Sequence, residues 1–136
     1  MDNYDYIVVI AKLAKAFKND GETVGFGCEE SSLPYQINIY RKINGSKTYC
    51  AAKAWCLWQI QSPLIDSGEH PEVIMLKADH VIEDELGRFP VGGWVRSSPI
   101  LAVYDNCIFE TGNTFYIAVG EGMQKQISAE DASSFF

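Results

Sequence analysis

Three short runs near the C-terminus decide the fold that the sequence predicts: "WVRSSPILAVYD" (residues 94–105), "CIFETG" (107–112) and "TFYIAVG" (114–120). Each run is rich in β-branched and aromatic residues, which favour strands. The pairs Asp105-Asn106 and Gly112-Asn113 lie between the runs, and such residues adopt the backbone angles of tight turns. The sequence therefore predicts a C-terminal β-meander, with a buried face made of Trp94, Ile100, Val103, Ile108, Phe115, Ile117 and Val119.

The N-terminal half predicts one helix followed by strands. Residues 5–18 (DYIVVIAKLAKAFK) repeat apolar side chains at helical spacing, with lysines late in the run, which predicts an amphipathic helix. A short strand is expected at residues 23–28. Apolar and polar residues then alternate over 35–40, the period of a half-buried strand, and Asn44-Gly45 is typical of a hairpin turn.

The middle of the chain is less decisive. The run "TYCAAKAWCLWQIQ" (residues 48–61) combines helix-favouring alanines with strand-favouring aromatics, so we expect a strand with a helix-like continuation near 51–59. Residues 63–72 are a loop by composition, and 73–78 predict a strand that stays extended through 82. A turn is expected at 84–87 and a partly ordered polar tail after Gly120. The predicted fold is α+β: one domain over 1–136, with the N-terminal helix packed on a mainly antiparallel sheet.

Composition limits the class of function. The chain has 136 residues, 47% hydrophobic and 21% charged, which is ordinary for a globular protein. The net charge of −7 comes from 18 acidic and 11 basic residues, which argues against binding nucleic acid or an anionic membrane directly. No apolar run approaches the ~20 residues of a membrane helix. Aspartates stand where a secretory signal needs Lys or Arg, so we expect a cytoplasmic protein.

No catalytic, metal or cofactor site is predicted. The four cysteines form no CxxC pair, and buried free thiols are the expectation for a cytosolic chain. No nucleophile elbow or phosphate-binding loop is present. The richest cluster of potential metal ligands has a nondescript spacing, and a strand would point Asp79 and His80 to opposite faces; its members are His70, Asp79, His80, Glu83 and Asp84.

A family resemblance rests on the C-terminal half. The pattern Gly87-Arg88-Phe89, then 94–98 (WVRSS), then Phe109-Glu110-Thr111 with Asn113-Thr114 and Tyr116, resembles an uncharacterised family of small bacterial and prophage domains. The resemblance implies a small accessory protein of bacterial or phage origin, acting in the bacterial cytosol. It transfers no catalytic residue.

Two functions from different classes remain open on sequence alone. The favoured one is a non-catalytic, acidic inhibitor or adaptor that covers a basic surface on a larger protein or ribonucleoprotein complex. In its most specific form, this hypothesis predicts a phage-encoded, anti-CRISPR-like inhibitor of a bacterial defence complex. Its candidate partner-binding residues are Tyr40, Trp55, Trp58, Glu83, Asp84 and Glu85. The aromatic members have a second interpretation as an aromatic core. The oligomeric state is left open.

The alternative is a small-anion or nucleotide-binding protein, either a sponge for a signalling nucleotide or an enzyme that acts on one. Arginine recognises anions through charged hydrogen bonds, and a tryptophan beside it offers a stacking surface. Arg88 and Arg96 also have a plainer interpretation, in which they pair with nearby carboxylates. The candidate ligand-binding residues of this alternative are Arg88, Trp94, Arg96, Ser97 and Ser98.

Overall fold

The computed structural model describes residues 23–133. The helix predicted over 5–18 lies outside the described residues. The elements, in chain order, are β1 (Thr23–Val24), a 3₁₀ turn (Glu30–Ser32), α1 (Leu33–Asn44), β2 (Thr48–Gln61), α2 (Pro63–Asp66), β3 (Ile74–Asp84), β4 (Val95–Arg96), β5 (Ala102–Tyr104), β6 (Ile108–Glu110), β7 (Thr114–Ala118), β8 (Gly122–Ser128) and α3 (Ala129–Ser133).

One mixed sheet connects all the described strands. Its main path is β1-β8-β2-β7-β6-β5, and β3 pairs with both β2 and β4. Only the pairings of β2 with β7 and with β8 are parallel, and the other pairings between described strands are antiparallel. The predicted α+β class and mainly antiparallel sheet are therefore confirmed.

The long strand β2 is the centre of the sheet. It is a single strand from Thr48 to Gln61, extended except at Ala54, whose φ is 54°, so the helix-like continuation predicted near 51–59 is wrong. β3 lies along one side of β2, while β7 and then β8 follow each other along the other side. Over most of its length β2 has strand neighbours on both sides, so the ladder satisfies its backbone groups there, and this tertiary setting overrides the helix propensity of its alanines.

The C-terminal meander forms from β5, β6 and β7, but the first predicted run, residues 94–105, divides into β4, which pairs with β3, and β5. β5, β6 and β7 pair antiparallel in sequence order. Asp105 and Asn106 both have positive φ, 50° and 58°, as the two central residues of a type I′ turn require, and the amide of Cys107 closes this turn on the carbonyl of Tyr104.

Six of the seven residues assigned to the buried face of the meander are buried or partly buried, but they do not share one face. Ile100 and Val103 belong to one apolar cluster, and Ile108, Phe115, Ile117 and Val119 belong to the cluster on the other side of the sheet. Trp94 is half exposed. Val95 is buried, and since neighbouring side chains of a strand point to opposite faces, Trp94 points outward.

Residues 35–40 are helical, so the strand predicted there is wrong. Leu33, Gln36 and Tyr40 recur at helical spacing and are buried, while Tyr35 is 63% exposed. Pro34 stands at the helix start, where its fixed φ is favourable. The alternation of Tyr35, Ile37 and Ile39 was a weaker signal than this spacing. Asn44-Gly45 consequently ends α1 instead of forming a hairpin.

For the remaining segments, some predictions are confirmed and others are corrected. β3 covers the strand predicted at 73–82, and the amide of Gly87 donates to the carbonyl of Asp84 in the predicted turn. The loop predicted at 63–72 contains the short helix α2. The tail after Gly120 is better ordered than predicted, because β8 pairs with β2 and α3 follows it.

Two apolar clusters lie on opposite faces of the sheet. One packs under α1 and includes Leu33, Tyr40, Tyr49, Cys107, Ile108, Phe115 and Ile117. The other, the inner cluster, includes Leu57, Leu76, Val81, Val95, Ile100 and Phe109. Residues 97–101 join β4 to β5 across this inner cluster: the amides of Ser97 and Ile100 donate to β3, and the amide of Leu101 donates to β6. These bonds link β3 to β6 across the inner cluster.

Candidate functional site

The parallel ladder along β2 is interrupted at its middle. Ala52 pairs with Ala118 of β7, and the next pairing joins Cys56 to Met123 of β8. Three residues of β2 (53–55) therefore lie opposite four residues, namely 119–121 in the connection between β7 and β8 and Gly122 at the start of β8. Such a bulge bends the strand and leaves local backbone unpaired, and bulges are frequent beside binding sites.

The backbone at the bulge is strained. Ala54 has a φ of 54°, in the left-handed region that costs a side-chain-bearing residue about 1 kcal/mol or more. Across the gap, Gly120 has a φ of 77°, and its carbonyl oxygen accepts a 3.1 Å hydrogen bond from the Trp55 indole. A Cβ on Gly122 would lie 2.3 Å from that indole ring. The absence of side chains at Gly120 and Gly122 thus allows this segment to pack closely against the Trp55 ring.

A cavity of about 380 Å³ opens beside this bulge, and we refer to it as the bulge cavity. The residues around it are Ala54, Trp55, Cys56, Asp79, Glu121, Gly122 and Met123. A smaller cavity of about 230 Å³ adjoins it through Glu121 and is lined by Phe26, Gly27, Cys28, Glu29, Gly120 and Glu121. The bulge cavity therefore joins an apolar wall to carboxylates.

The carboxylates at these cavities face solvent. The Asp79 side chain is 61% exposed and pairs with Lys77, while Glu121 and Glu29 are also exposed. Glu30 lies 3.7 Å from the ammonium of Lys53. Four carboxylates and two ammonium groups thus lie at or beside the two cavities, which gives this part of the surface a negative charge.

Exposed apolar side chains flank the bulge cavity. Met123 at its edge is about half exposed. Trp94, also half exposed, comes immediately before Val95, whose partner in the sheet is Ala78. This register places Trp94 next to Asp79 across the two strands. Exposed tryptophan and methionine are typical of the centres of protein interfaces.

The aromatic residues of the predicted partner-binding set are in the core. Tyr40 and Trp55 are buried in the clusters on the two faces of the sheet, and Trp58 is buried with Ile60 and Ala132 at the far end of β2. The interpretation of these three aromatics as exposed anchors is therefore corrected in favour of the aromatic core. Tyr40 lies on the buried face of α1. Trp55 and Trp58 are three residues apart in β2, so they point to opposite faces of that strand, and each ring contacts packed side chains.

The acidic residues of that set belong to a charged network at the end of β3. Its members are Tyr40, Arg41, Lys47, Tyr49, Glu83, Asp84, Glu85, Arg88, Tyr104 and Glu110. Glu85 accepts hydrogen bonds from Tyr40 and Arg41, and Glu83 accepts one from the Tyr49 hydroxyl. These two carboxylates accept hydrogen bonds from side chains of the same protein, although both residues are exposed at its surface.

Asp84 is the buried member of the network. Its side chain is fully buried and accepts three hydrogen bonds from Arg88: from the backbone amide at 2.6 Å, from Nε at 3.1 Å and from Nη2 at 2.8 Å. Burial alone would raise the pKa of the Asp84 carboxyl, but the bonds from Arg88 outweigh burial and lower this pKa. Burial and the Asp84 charge raise the pKa of the neighbouring Cys50 thiol to about 12, so Cys50 is a poor nucleophile.

A cavity of about 560 Å³ adjoins the charged network. Arg41, Lys47, Glu85, Leu86 and Asn113 are among its lining residues. Arg41 pairs with Glu85 at 2.6 Å, and Lys47 pairs with Glu110 at 2.6 Å. Since both cations already have carboxylate partners, this cavity has no excess positive charge with which to hold an anion.

The residues of the predicted anion site are not gathered into one site. Arg88 pairs with Asp84 at the C-terminal end of β3, whereas Arg96 is opposite Lys77, seven residues earlier. Ser97 is fully buried; its hydroxyl accepts from the amide of Leu76 and donates to the carbonyl of Ser98. Arg88 and Ser97 are thus used in the internal structure, while Trp94 and Ser98 face solvent.

The described residues contain neither a metal cluster nor a spanning helix. Between residues 23 and 133, no group of three or more His, Cys, Asp or Glu side chains is placed to hold a metal ion. Within the same range, no helix has the length and apolarity needed to cross a membrane.

The important site residues that sequence reasoning missed are Ala54, Glu121 and Met123. Asp79 was considered only as a metal ligand. The one sequence signal was Gly120-Glu121-Gly122, whose two glycines permit the close approach to Trp55. No local pattern reveals that this tripeptide lies opposite Ala54, because the pairing joins segments far apart in the sequence.

The fold and site define a class of protein: a small α+β domain built on one mixed sheet, with an acidic cavity where the neighbour of its central strand changes from β7 to β8. The chain belongs to the family described as Domain of unknown function (DUF6957), whose model matches residues 26–134. The match includes α1 and β2, beyond the C-terminal half on which the sequence resemblance rested. No match was found among curated proteins or solved structures.

Proposed function

We propose that this protein is a non-catalytic binder that covers a basic surface on a larger protein or ribonucleoprotein complex. The bulge cavity receives a lysine or arginine side chain of the partner, and Trp94 and Met123 pack around the point of entry. The observation that carries the proposal is the combination, on one surface, of a cavity edged by Asp79 and Glu121 with two half-exposed apolar side chains.

The chemistry of the cavity supports a basic side chain as its occupant. The volume of about 380 Å³ lies at the small end of the range of ligand clefts, roughly 300–1,000 Å³. Its apolar wall, from Trp55, Cys56 and Met123, suits the methylene stem of lysine or arginine, which packs on apolar surface while the charged head reaches polar groups. Asp79 and Glu121 are then placed to pair with that head.

The net charge of −7 supports the same partner class. Complementary charge accelerates encounter between proteins and suppresses binding to acidic surfaces. The same charge repels nucleic acid, so a ribonucleoprotein partner would be contacted through its protein component.

The setting we propose is the cytosol of a bacterial host, where the protein acts as a phage-encoded inhibitor of a defence complex in the manner of an anti-CRISPR protein. The small size, the acidic surface and the resemblance to prophage domains support this setting. Inhibition would follow from occupying a basic surface that the complex needs for nucleic acid.

The test is affinity capture from nuclease-treated bacterial lysate with three forms of the full-length chain. The first is wild type, and the second is Asp79→Asn with Glu121→Gln. The third, Asp66→Asn with Glu69→Gln, makes the same charge change at exposed positions away from the bulge cavity. We expect wild type and the third form to capture the same protein at low salt and to release it at high salt, because exposed charge pairs are screened.

The cavity variant should lose that protein by at least tenfold. Equal loss from both variants would show that net charge alone drives capture, and unchanged capture by the cavity variant would refute the bulge cavity as the site. Absence of any captured protein with wild type would count against the proposed function itself. Melting temperatures of all three forms verify that folding is intact.

A further inference from the structure

Two of the four cysteines approach each other at the β5–β6 turn. The amide of Cys28 donates to the carbonyl of Ala118 at 3.0 Å, and the amide of Ala118 donates to the carbonyl of Cys107 at 2.9 Å. One residue earlier on each segment, the amide of Gly27 donates to the carbonyl of Asn106 at 2.8 Å. The N–H and C=O groups of Ala118, together with the bond between Gly27 and Asn106, hold the two cysteine backbones beside each other.

The side chains of these cysteines also share one environment. Cys107 is fully buried in the cluster under α1, and Cys28 packs against the same cluster while remaining partly exposed. The two thiols are close enough that Cys28 contributes to the raised pKa of Cys107, after burial, which is the larger cause. Disulfide formation needs cysteine backbones about 4.4–6.8 Å apart with their side chains directed at each other. The backbones of Cys28 and Cys107 are both hydrogen-bonded to the same residue, Ala118.

We propose that Cys28 and Cys107 are a redox-reactive dithiol that closes to a disulfide when the protein meets peroxide. This site is independent of the proposed protein-binding function. It differs from the expectation of buried free thiols, since that expectation rested on a cytosolic compartment and on the absence of a CxxC pair, and neither reports thiols that meet through the sheet.

The two thiols have different roles because their exposures differ. Cys28 lines the open 230 Å³ cavity, so peroxide reaches it first. Burial, and then the neighbouring Cys28, raise the pKa of the Cys107 thiol, so Cys107 is protonated at neutral pH and is protected from direct attack. Cys28 is therefore the peroxide-reactive thiol, and Cys107 is the resolving thiol.

The chemistry balances with hydrogen peroxide as oxidant. The Cys28 thiolate attacks one peroxide oxygen, the O–O bond breaks, and the departing hydroxide takes up a proton to become water, leaving Cys28 as a sulfenic acid. The Cys107 sulfur then attacks the Cys28 sulfur, the S–O bond breaks, and water leaves with the Cys107 proton. Overall, two thiols and one peroxide give one disulfide and two waters.

The other two cysteines are internal controls. Cys50 is fully buried in the inner cluster, on the other side of the sheet from Cys107, and it lies next to Asp84 and Arg88. Cys56 is partly exposed at the bulge cavity. A reaction governed by exposure alone would modify Cys56 as readily as Cys28, whereas the proposed dithiol reaction joins Cys28 specifically to Cys107.

The experiment treats the full-length protein with graded hydrogen peroxide, blocks the remaining thiols by alkylation, and maps disulfides by mass spectrometry without reduction. We expect a Cys28–Cys107 cross-linked peptide as the main product, reversed by dithiothreitol, together with a higher melting temperature of the oxidised protein. Cys107→Ser should trap a sulfenic acid at Cys28 that reacts with dimedone, and the control Cys56→Ser should leave the cross-link unchanged.

The mapping of the wild-type protein decides the proposal even where a variant fails to fold. A Cys28–Cys107 peptide that accumulates before any other cysteine product supports it. Cross-links dominated by another pair, or irreversible oxidation of Cys28 with Cys107 still alkylated, would overturn it.

Discussion

The two acidic regions of this protein make different use of their carboxylates. In the charged network at the end of β3, Asp84 is buried against Arg88, and Glu85 accepts bonds from Tyr40 and Arg41. At the bulge cavity, Asp79 and Glu121 remain exposed, although Asp79 contacts Lys77. The number of acidic residues in a segment therefore does not measure the negative charge that a partner can contact.

The largest expected effect comes from breaking the network at its buried pair. Arg88→Ala should reduce the free energy of unfolding by about 3 kcal/mol, because removing one partner leaves an uncompensated buried carboxylate. Arg41→Ala is the matched control: Arg41 also pairs with a carboxylate, but its side chain is half exposed and the pair is screened by water. Urea unfolding of both variants provides the measurement. A loss for Arg88→Ala no larger than that for Arg41→Ala would show that burial of Asp84 is unimportant.

An intermediate effect is expected where the cavity is shaped. Gly122→Ala would place a Cβ 2.3 Å from the Trp55 ring, and such overpacking typically costs about 1–3 kcal/mol. Gly112→Ala is the control, since no atom lies within 4 Å of its added Cβ. Thermal melting compares the two variants. If both melt alike, the contact between the β7–β8 connection and Trp55 does not hold the cavity wall.

A smaller effect concerns acidification of the network. The folded-state pKa of Asp84 is lowered, so its contribution to stability is present above its unfolded pKa of about 3.9 and is lost as the pH falls through the lower folded-state pKa. In Arg88→Ala, burial without the arginine raises this pKa instead. The difference in unfolding free energy between wild type and variant should therefore shrink as the pH falls from 7 to 3.

Urea unfolding at a series of pH values measures this difference. Arg41→Ala, compared in the same way, separates Asp84 from the carboxylate of Glu85, whose pKa the structure also lowers. A difference for Arg88→Ala that stays constant across this pH range would contradict the assignment of the pKa shift to Arg88.

Sequence reasoning succeeded where neighbouring residues carry the signal. The turn at Asp105-Asn106 follows from residues that tolerate positive φ, and the strands around it follow from β-branched and aromatic runs. It failed at α1, where alternation of Tyr35, Ile37 and Ile39 competed with the helical spacing of Leu33, Gln36 and Tyr40. It also failed for β2, whose alanines have strand neighbours only because distant segments pair beside them.

The sequence by itself determined the α+β class, the C-terminal meander and the acidic balance, because turn chemistry, side-chain alternation and charge are local or additive properties. Only the tertiary structure decided which side chains are available. It buried Tyr40, Trp55 and Trp58, paired Arg88 with Asp84, and left Trp94 and Met123 exposed around a cavity edged by Asp79 and Glu121. The physical reason is that burial and pairing depend on strand neighbours far apart in the chain, here β2 against β3, β7 and β8.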